Sequence, residues 1–409
     1  EGTNWINQQV SGDSLVHVTD GNDSFTGWIL TTADDRKEYY NPSGNLIAIA
    51  DRAGRLVSLS YDINHRLIAV ADDIGRSLNF TYDGSSRIKT ITDPAGSIYQ
   101  YSYDIYGNLV SVTYPDSKIR TYHYNESAYT SGANLPHALT GITDEKGVRF
   151  AIYHYDTQGR AISTEHAQGA EHYHLTYNPG NTIITDPLGT QRTHHFQTFF
   201  GVAKNAGQSQ PAGSGCTASS SRLDYDEQGN MVSQTDFNGN KTCYAYDLDR
   251  NLEIARVEGL SASQSCPTDL VSYSPTTNST ERKILTNWHP TFQLPQVITE
   301  PYRETKIDYD DQGNITHYHL RDLSSTASRA WTISYQYHST TPGFILQTVI
   351  DGPRTDLSDI TAIDFYPPDA NCSGGHYGCR GQTQRITNAL GHHTQMTRYN
   401  AHGQIEEMI

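Results

Sequence analysis

The sequence predicts an all-β fold, in which tandem β-hairpins of about 21 residues build one long curved sheet. Two observations carry this prediction. Tyrosine followed by Asp or Asn recurs at a fixed 21-residue spacing, and aromatic residues alternate along the segments between the turns. A fixed period of this length indicates a repeat architecture, because stacked neighbouring units bury one continuous apolar layer.

The repeat is most regular between residues 40 and 125, where two marks alternate along the chain. The first mark recurs every 21 residues, at Tyr40-Asn41, Tyr61-Asp62, Tyr82-Asp83, Tyr103-Asp104 and Tyr124-Asn125. The second mark is an Asp-x-x-Gly turn midway between them, as at Asp93 and Gly96. The Asp, Asn and Gly residues of both marks favour tight turns. The signature residues of both kinds that we single out, including later copies, are Tyr61, Asp62, Tyr82, Asp83, Tyr103, Asp104, Gly107, Asp93, Gly96, Tyr225, Asp226, Gly229, Asp236 and Gly239.

One unit shows why each repeat is a hairpin. A short β-branched run, 88–92, precedes the turn Asp93-Pro94-Ala95-Gly96, and Tyr99, Tyr101 and Tyr103 alternate after it. Alternation with period two between turn residues predicts two antiparallel strands. A lone hairpin is marginally stable in water, so the repeats are expected to stack.

We expect an N-terminal β segment at residues 1–35 and a repeat region at 36–409. Irregular loops are expected near 126–140, 201–221 and 259–280, where the alternation stops. Because the chain opens at Glu1 and ends just after a repeat turn, we interpret it as a piece of a longer protein.

Composition and charge narrow the classes of partner. The chain has 28 Tyr, 33 Gly and 16 Pro in 409 residues, which suits strands and turns. Its formal net charge is -16, whereas nucleic-acid binding requires basic patches, so no nucleic-acid partner is expected. No apolar run is long enough to predict a membrane span.

The two alternating marks resemble the YD repeats of Rhs proteins. The segment Asn287-Trp288-His289-Pro290 is similar to one found inside bacterial Rhs repeat regions, which adds Trp288 and Pro290 to the signature residues. The segment Asp351-Gly352-Pro353-Arg354 is similar to another such stretch. The resemblance covers roughly residues 36–409.

In Rhs proteins and the related Tc toxin B and C components, such repeats spiral into a hollow shell around a C-terminal toxin. Teneurins carry a similar YD shell in an adhesion receptor. The resemblance therefore implies a partial hollow shell that encapsulates and helps deliver a toxin domain absent from this chain. The family's self-cleaving Asp-Pro-x-Gly-x-Asp core has no match here, and the turns at Asp93 and Asp186 share only its first four positions.

The resemblance also implies the partners and the place of action. The partners would be the protein's own C-terminal toxin domain and the remaining shell repeats, with a secretion-apparatus spike or cell-surface glycans as further candidates. The protein would be a secreted or cell-surface bacterial protein used in competition between bacteria, without enzymatic activity, cofactor or metal. The alternative is a cell-surface adhesion or carbohydrate-binding protein built on the same repeats.

Two groups of residues offer chemistry of their own. The turn aspartates could be read as paired catalytic carboxylates, but Asp also starts turns by capping backbone N–H groups, and its repetition favours that role. The histidines could hold a metal, yet no Asp, Glu or Cys is fixed by spacing to complete the ligands, so a polar lining is the better interpretation. These histidines are His166, His172, His174, His194 and His195.

Among five cysteines, Cys372 and Cys379 bracket a Gly-rich segment and are the candidate disulfide pair. A zinc site that adds His376 is the alternative for the same segment. The odd number leaves at least one cysteine without a partner inside this chain.

Overall fold

The structure, a computed structural model, describes residues 4–6, 13–215, 217–277, 279–341 and 343–409. Within these ranges 33 strands form one sheet, and the only helical element is a single 3₁₀ turn at Ala167–Gly169. Among the described residues there is no helix of the length and apolarity that a bilayer crossing requires. The predicted all-β fold of hairpin repeats is confirmed.

The strands are short and follow one another with brief connections. The first twelve are β1 (Asn4–Ile6), β2 (Ser14–Thr19), β3 (Phe25–Thr31), β4 (Lys37–Tyr40), β5 (Leu46–Ala50), β6 (Leu56–Tyr61), β7 (Leu67–Asp72), β8 (Ser77–Tyr82), β9 (Ile88–Thr92), β10 (Ile98–Tyr103), β11 (Leu109–Thr113) and β12 (Ile119–Tyr124). The next eleven are β13 (Leu139–Thr143), β14 (Arg149–Tyr155), β15 (Ala161–His166), β16 (Ala170–Asn178), β17 (Asn181–Thr185), β18 (Gln191–Phe199), β19 (Val202–Gln210), β20 (Ser219–Tyr225), β21 (Met231–Thr235), β22 (Asn240–Asp247) and β23 (Leu252–Ser261). The last ten are β24 (Arg282–Trp288), β25 (Pro295–Thr299), β26 (Arg303–Tyr309), β27 (Ile315–Asp322), β28 (Ser328–Tyr337), β29 (Ile345–Asp351), β30 (Thr361–Phe365), β31 (Thr383–Thr387), β32 (His393–Tyr399) and β33 (Ile405–Met408).

Every strand pairs antiparallel with the next strand along the chain, so the sheet is one continuous meander. The register shifts by a bulge immediately before Tyr61, before Tyr82 and before Tyr103. A β-bulge beside a turn increases the local twist of the hairpin. These three repeat tyrosines therefore lie at bulges, at the point where each strand enters its turn.

Buried side chains form local clusters within the described part of the sheet. One cluster, with Cys243 and Val257 both at 0% exposure, lies where Leu270 from the irregular segment between β23 and β24 packs against the sheet. Another joins Cys379 and Tyr399 near the end of the chain. The hydrophobic layer is thus divided among neighbouring hairpins, as expected for a repeat protein.

One expected loop is largely wrong. Residues 202–210 form β19, although their Ala, Asn, Gln and Ser side chains show no apolar alternation. Backbone pairing with β18 and β20 holds this strand in the sheet, and Gly207 allows the close approach. A Cβ at Gly207 would lie 2.3 Å from the carbonyl oxygen of Ser221. The irregular part shrinks to the residues between β19 and β20, while the other two expected loops lie between β12 and β13 and between β23 and β24.

Candidate functional site

The repeat tyrosines form a ladder of hydroxyl contacts along the sheet. Tyr61 donates a hydrogen bond from its hydroxyl to the carbonyl oxygen of Leu46 at 2.8 Å, and Tyr82 donates likewise to Leu67 at 2.7 Å. The pattern continues at Tyr103, Tyr124, Tyr155, Tyr177, Tyr246, Tyr309 and Tyr399. Each hydroxyl therefore ties the end of its own strand to the start of the preceding strand, across one hairpin.

Where an aspartate follows the repeat tyrosine, it caps its own turn. The Asp62 Oδ1 atom accepts hydrogen bonds from the backbone N–H groups of Asn64 and Arg66, both at 2.9 Å. The Arg66 backbone N–H and its guanidinium hold the pKa of Asp62 below its usual range. Asp83 and Asp104 cap their turns with the same geometry. A carboxylate that accepts two backbone N–H groups is a turn cap, which explains why the acid recurs at this position.

An arginine connects one repeat to the next. Arg66 donates from Nε to Asp62 Oδ2 at 2.7 Å, and its guanidinium carbon lies 4.8 Å from the ring centroid of Tyr82. Arg87 repeats this arrangement between Asp83 and the ring of Tyr103. The charge is thus shared between a carboxylate and an aromatic face, a favourable cation–π geometry.

The Asp-x-x-Gly turns use the same capping chemistry. Asp93 Oδ1 accepts from the backbone N–H of Ala95 and of Ser97, and Gly96 takes the left-handed conformation with φ +80°. Asp236 and Gly239 form an equivalent turn. These aspartates therefore lie at separate turns, and the Oδ1 atom of each is occupied by backbone donors.

The later signature residues are also held by backbone contacts. Tyr225 donates to the Asn205 carbonyl at 2.7 Å, and Asp226 Oδ1 accepts from the Asn230 N–H at 2.7 Å. Gly229, with φ +85°, donates its own N–H to the Asp226 carbonyl and accepts from the Lys204 ammonium.

The Trp288–Pro290 segment packs against an earlier hairpin. The Trp288 indole donates from Nε1 to the Glu253 carbonyl at 2.8 Å, and Pro290 follows it in the loop between β24 and β25. Arg250 donates to the carbonyls of His289 and Phe292, both within this loop. Sequence reasoning missed Arg250, because a contact 39 residues away leaves no periodic signal.

The structure does not gather the candidate histidines into a metal site. His174 pairs across the sheet with Ser163 and Thr185, and His194 with Thr182. His166 Nδ1 lies 2.8 Å from Glu171 Oε2. Among the described residues no group of three or more His, Cys, Asp or Glu has a metal-binding arrangement.

Two disulfides are present in the described chain. One joins Cys372 and Cys379 in the loop between β30 and β31. The other joins Cys243 to Cys266 and fastens the irregular segment after β23 onto the sheet. Sequence reasoning missed this second pair, because Cys266 lies in a segment without alternation. The fifth cysteine, Cys216, lies outside the described residues.

The sheet also comes round on itself, so that late hairpins contact early ones. We call this contact the seam and define it by four residue pairs: Asp35–Gln293, Arg52–Gly313, Ile74–Arg380 and Asp93–His402. The Gln293 N–H donates to Asp35 Oδ2 at 2.8 Å, and Arg380 Nη1 donates to the Ile74 carbonyl at 3.1 Å. These pairs bridge up to 309 residues of sequence.

The seam advances regularly along both edges of the sheet. The loop after β3 meets the loop after β24, and the loop after β9 meets the loop after β32, so one turn of the spiral uses 21 to 23 strands. The early partners lie in turns after odd-numbered strands and the late partners in turns after even-numbered strands. The sheet edge that carries the Asp-x-x-Gly turns therefore packs, from one turn of the spiral, against the sheet edge that carries the Tyr-Asp turns in the next turn of the spiral.

The exposure of the residues at the turn tips shows where the seam is closed. Ile74 is 7% exposed, whereas Leu188, at the same position of the equivalent turn Asp186-Pro187-Leu188-Gly189, is 93% exposed. Phe344, in the loop between β28 and β29, is 5% exposed and, with Ile74, lines a cleft along the seam. The difference between the two turn tips shows that the late hairpins cover Ile74.

Charge contributes to the seam at two of its pairs. Asp35 Oδ2 accepts from Arg52 Nε at 3.1 Å as well as from the Gln293 N–H. Burial raises the pKa of Asp93, but His402 and two backbone N–H groups outweigh it, so the pKa lies below its usual range. His402 Nε2 lies 2.9 Å from the Asp93 carboxylate, which is 8% exposed. Both carboxylates therefore face groups of the next turn of the spiral, Asp35 the Gln293 N–H and Asp93 the His402 ring.

Known proteins share this repeat and this fold. The family described as Teneurin YD-shell matches residues 37–134. The chain is similar to the crystal structure of TcdB2-TccC3, with a TM-score of 0.53 and 13% identity over 96% of this chain and 26% of that chain. It is similar also to TcdB2-TccC3-Cdc42, with a TM-score of 0.50 and 13% identity over the same shares of the two chains.

These comparisons have clear bounds. The chain spans about a quarter of the length of the two solved structures, and no curated protein matches its sequence. At 13% identity the likeness concerns the fold. The 21-residue hairpin repeat and the family match over residues 37–134 make this part of the chain similar to the Teneurin YD-shell, and the solved structures share the fold of the chain.

Proposed function

We propose that this chain is a wall segment of an Rhs-type polymorphic toxin shell, which encloses and helps deliver a C-terminal toxin domain carried elsewhere in the whole protein. The observation that carries the proposal is the seam. A sheet that returns on itself and packs edge to edge separates an inside from an outside. The role of the chain is then mechanical containment.

The dimensions support a container for polypeptide. One turn of 21 to 23 strands, spaced about 4.8 Å apart, has a circumference of roughly 100–110 Å and a diameter of roughly 30–35 Å if circular. After the side chains are allowed for, that width accommodates an extended or partly folded chain. The partners would be the toxin domain, the remaining shell repeats and other toxin components, and the protein would be exported.

We further propose that the wall has no chemistry of its own. The repeated carboxylates cap backbone N–H groups at separate turns, as Asp62 and Asp93 do. General acid–base catalysis requires a carboxyl group free to exchange a proton with a substrate. These carboxylates are instead engaged in holding the hairpins.

The test uses the whole protein that contains this segment. Trypsin is added to the wild type and to Ile74→Asp, which places a charge in the closed part of the seam. We expect the C-terminal domain to be protected in the wild type and cut in Ile74→Asp, while Ile74→Val keeps the apolar contact and the protection. If trypsin cuts the C-terminal domain of the wild type rapidly, at the same rate as in the two variants, the containment proposal is overturned.

The second candidate function is glycan binding at a cell surface. It is favoured by an aromatic group on β2 and β3, where His17 stacks on Phe25 at 4.5 Å and Trp28 meets both rings edge-on. Phe25 is 37% exposed. Binding on a glycan array that is lost in Phe25→Ala and kept in Phe150→Ala, another exposed aromatic, would favour this candidate.

A further inference from the structure

The loop between β30 and β31, residues 366–382, is closed by a disulfide and lies on the seam. Cys379 is 5% exposed and packs with Met396 and Tyr399, while Cys372 lies at the edge of the same cluster. The Cys379 N–H also donates to Cys372 Sγ at 3.1 Å. The disulfide therefore fixes the conformation of the segment that leads directly into the seam.

Two side chains of this loop reach the earlier turn of the spiral. Arg380 donates from Nη1 to the Ile74 carbonyl at 3.1 Å and from Nε to the Ala370 carbonyl at 3.0 Å. Its guanidinium carbon lies 4.2 Å from the ring centroid of Tyr377. The Tyr377 ring in turn lies 3.0 Å from the point that a Cβ would occupy at Gly75.

Closure of the loop thus prepares the contact with the 72–76 turn. Arg380 follows Cys379 directly, and Tyr377 precedes it by two residues, so the disulfide holds both near their seam partners. Opening a closed loop increases the number of conformations it can adopt. Without the disulfide, Arg380 and Tyr377 must be ordered at an additional entropic cost before they can bind the earlier turn.

We propose that the Cys372–Cys379 disulfide is a redox-sensitive lock on the seam, and that a dithiol reductant opens it by releasing the 366–382 loop from the 72–76 turn. This inference concerns how the wall is fastened and is independent of what the wall encloses. It gives the shell a response to passage from an oxidising to a reducing compartment.

The chemistry is a two-electron exchange. A thiolate of the reductant attacks Sγ of the half-buried Cys372, the bond between the two cysteine sulfurs breaks, and Cys379 leaves as a thiolate. The second thiol of the reductant then attacks the mixed disulfide and releases Cys372. The reductant ends as a disulfide, and each cysteine takes up one proton.

The experiment measures amide hydrogen exchange in the 72–76 turn, about 300 residues from the disulfide in sequence. It compares the oxidised chain, the same chain treated with dithiothreitol, and the Cys372→Ser/Cys379→Ser pair without reductant. We expect exchange at 72–76 to rise roughly tenfold or more in the last two samples, with β12 unchanged as a marker of the intact sheet. Ile74→Asp, with its disulfide intact, provides the open-seam reference.

The second disulfide is the matched control. The Cys243→Ser/Cys266→Ser pair should speed exchange between β23 and β24 and leave the 72–76 turn protected. If reduction speeds exchange only within residues 366–382, the disulfide stabilises its own loop and not the seam, and the proposal is overturned. Faster exchange throughout the sheet, β12 included, would overturn it as well, because the effect would then be general unfolding.

Discussion

At the scale of single residues, the repeat tyrosine acts through its hydroxyl as well as its ring. The alternating aromatics in the sequence indicate packing between hairpins, and the ring contacts with Arg66 and Arg87 agree with that. The hydroxyl adds a directional bond to a carbonyl at the start of the preceding strand, as from Tyr82 to Leu67. This bond explains why the repeat carries tyrosine at this position and why phenylalanine would be a poorer choice.

Removing one of these tyrosine hydroxyl hydrogen bonds should lower the stability of the sheet measurably. Tyr82→Phe deletes the 2.7 Å hydrogen bond to the Leu67 carbonyl and keeps the ring. We expect the free energy of unfolding to fall by about 1 kcal/mol, the net value of one such hydrogen bond. Urea denaturation followed by circular dichroism measures it.

The control for this substitution is Tyr106→Phe, at a side chain that is 58% exposed in a turn. Its denaturation midpoint should equal that of the wild type. A Tyr82→Phe midpoint as high as that of the control would show that the hydroxyl contributes nothing and that the ring alone accounts for the repeat tyrosine.

At the scale of the hairpin, the turn after each Tyr-Asp pair needs one residue in the left-handed conformation. Gly107 fills this position with φ +87°, and His65 and Ser86 fill it in neighbouring repeats with φ near +60°. The aspartate cap stabilises the turn strongly enough for a side chain to be tolerated there. The position therefore prefers glycine without requiring it, which is why the repeat is irregular at that residue.

A pair of glycines in adjacent repeats tests this account. Gly107→Ala should cost about 1 kcal/mol of unfolding free energy, since an L-residue is strained at positive φ. Gly84→Ala, in the previous turn, has no positive φ and open space around its Cβ, so a change within about 0.5 kcal/mol is expected. Equal stabilities of the two variants would contradict the conformational explanation.

The hairpins could be predicted from sequence because their turns are stabilised by residues close together in the chain. The features that sequence reasoning missed depend on contacts between distant residues. The Asp-x-x-Gly and Tyr-Asp marks predict turns because each residue acts on its own backbone within four positions, as Asp93 does. The strand at 202–210 was missed because its neighbours hold it by backbone pairing. The Cys243–Cys266 bond and the Arg380–Ile74 contact were out of reach for a related reason, since they join segments whose separation follows no period.

At the scale of the whole molecule, the spiral is held in two different ways. Along the sheet, every described strand has a ladder of backbone hydrogen bonds to the next strand. Across the seam, side chains and turn residues make the contact, and no described strand pairs with a strand of the next turn. Local opening in proteins occurs where few hydrogen bonds and few buried groups must be given up. The seam is therefore the place where the spiral should open first.

A substitution at Asp35 allows the stability of the seam contact to be measured. Asp35→Ala removes the acceptor for the Gln293 N–H and for Arg52, in a carboxylate that is only 11% exposed. Loss of a part-buried acceptor costs about 1–3 kcal/mol, and the loss should be confined to the seam. Amide exchange of residues 289–294 should therefore accelerate while that of β12 stays as in the wild type.

The neighbouring acid is the matched control. The Asp34 carboxylate bonds to Thr32 within its own turn, and its backbone carbonyl accepts from Arg52 whatever the side chain is. Asp34→Ala should leave exchange at 289–294 unchanged. If both variants accelerate it equally, the early turn is simply unfolding, and the Asp35–Gln293 bond is not what holds the two turns together. If only Asp35→Ala does so, a single carboxylate fastens hairpins that lie 258 residues apart in the chain.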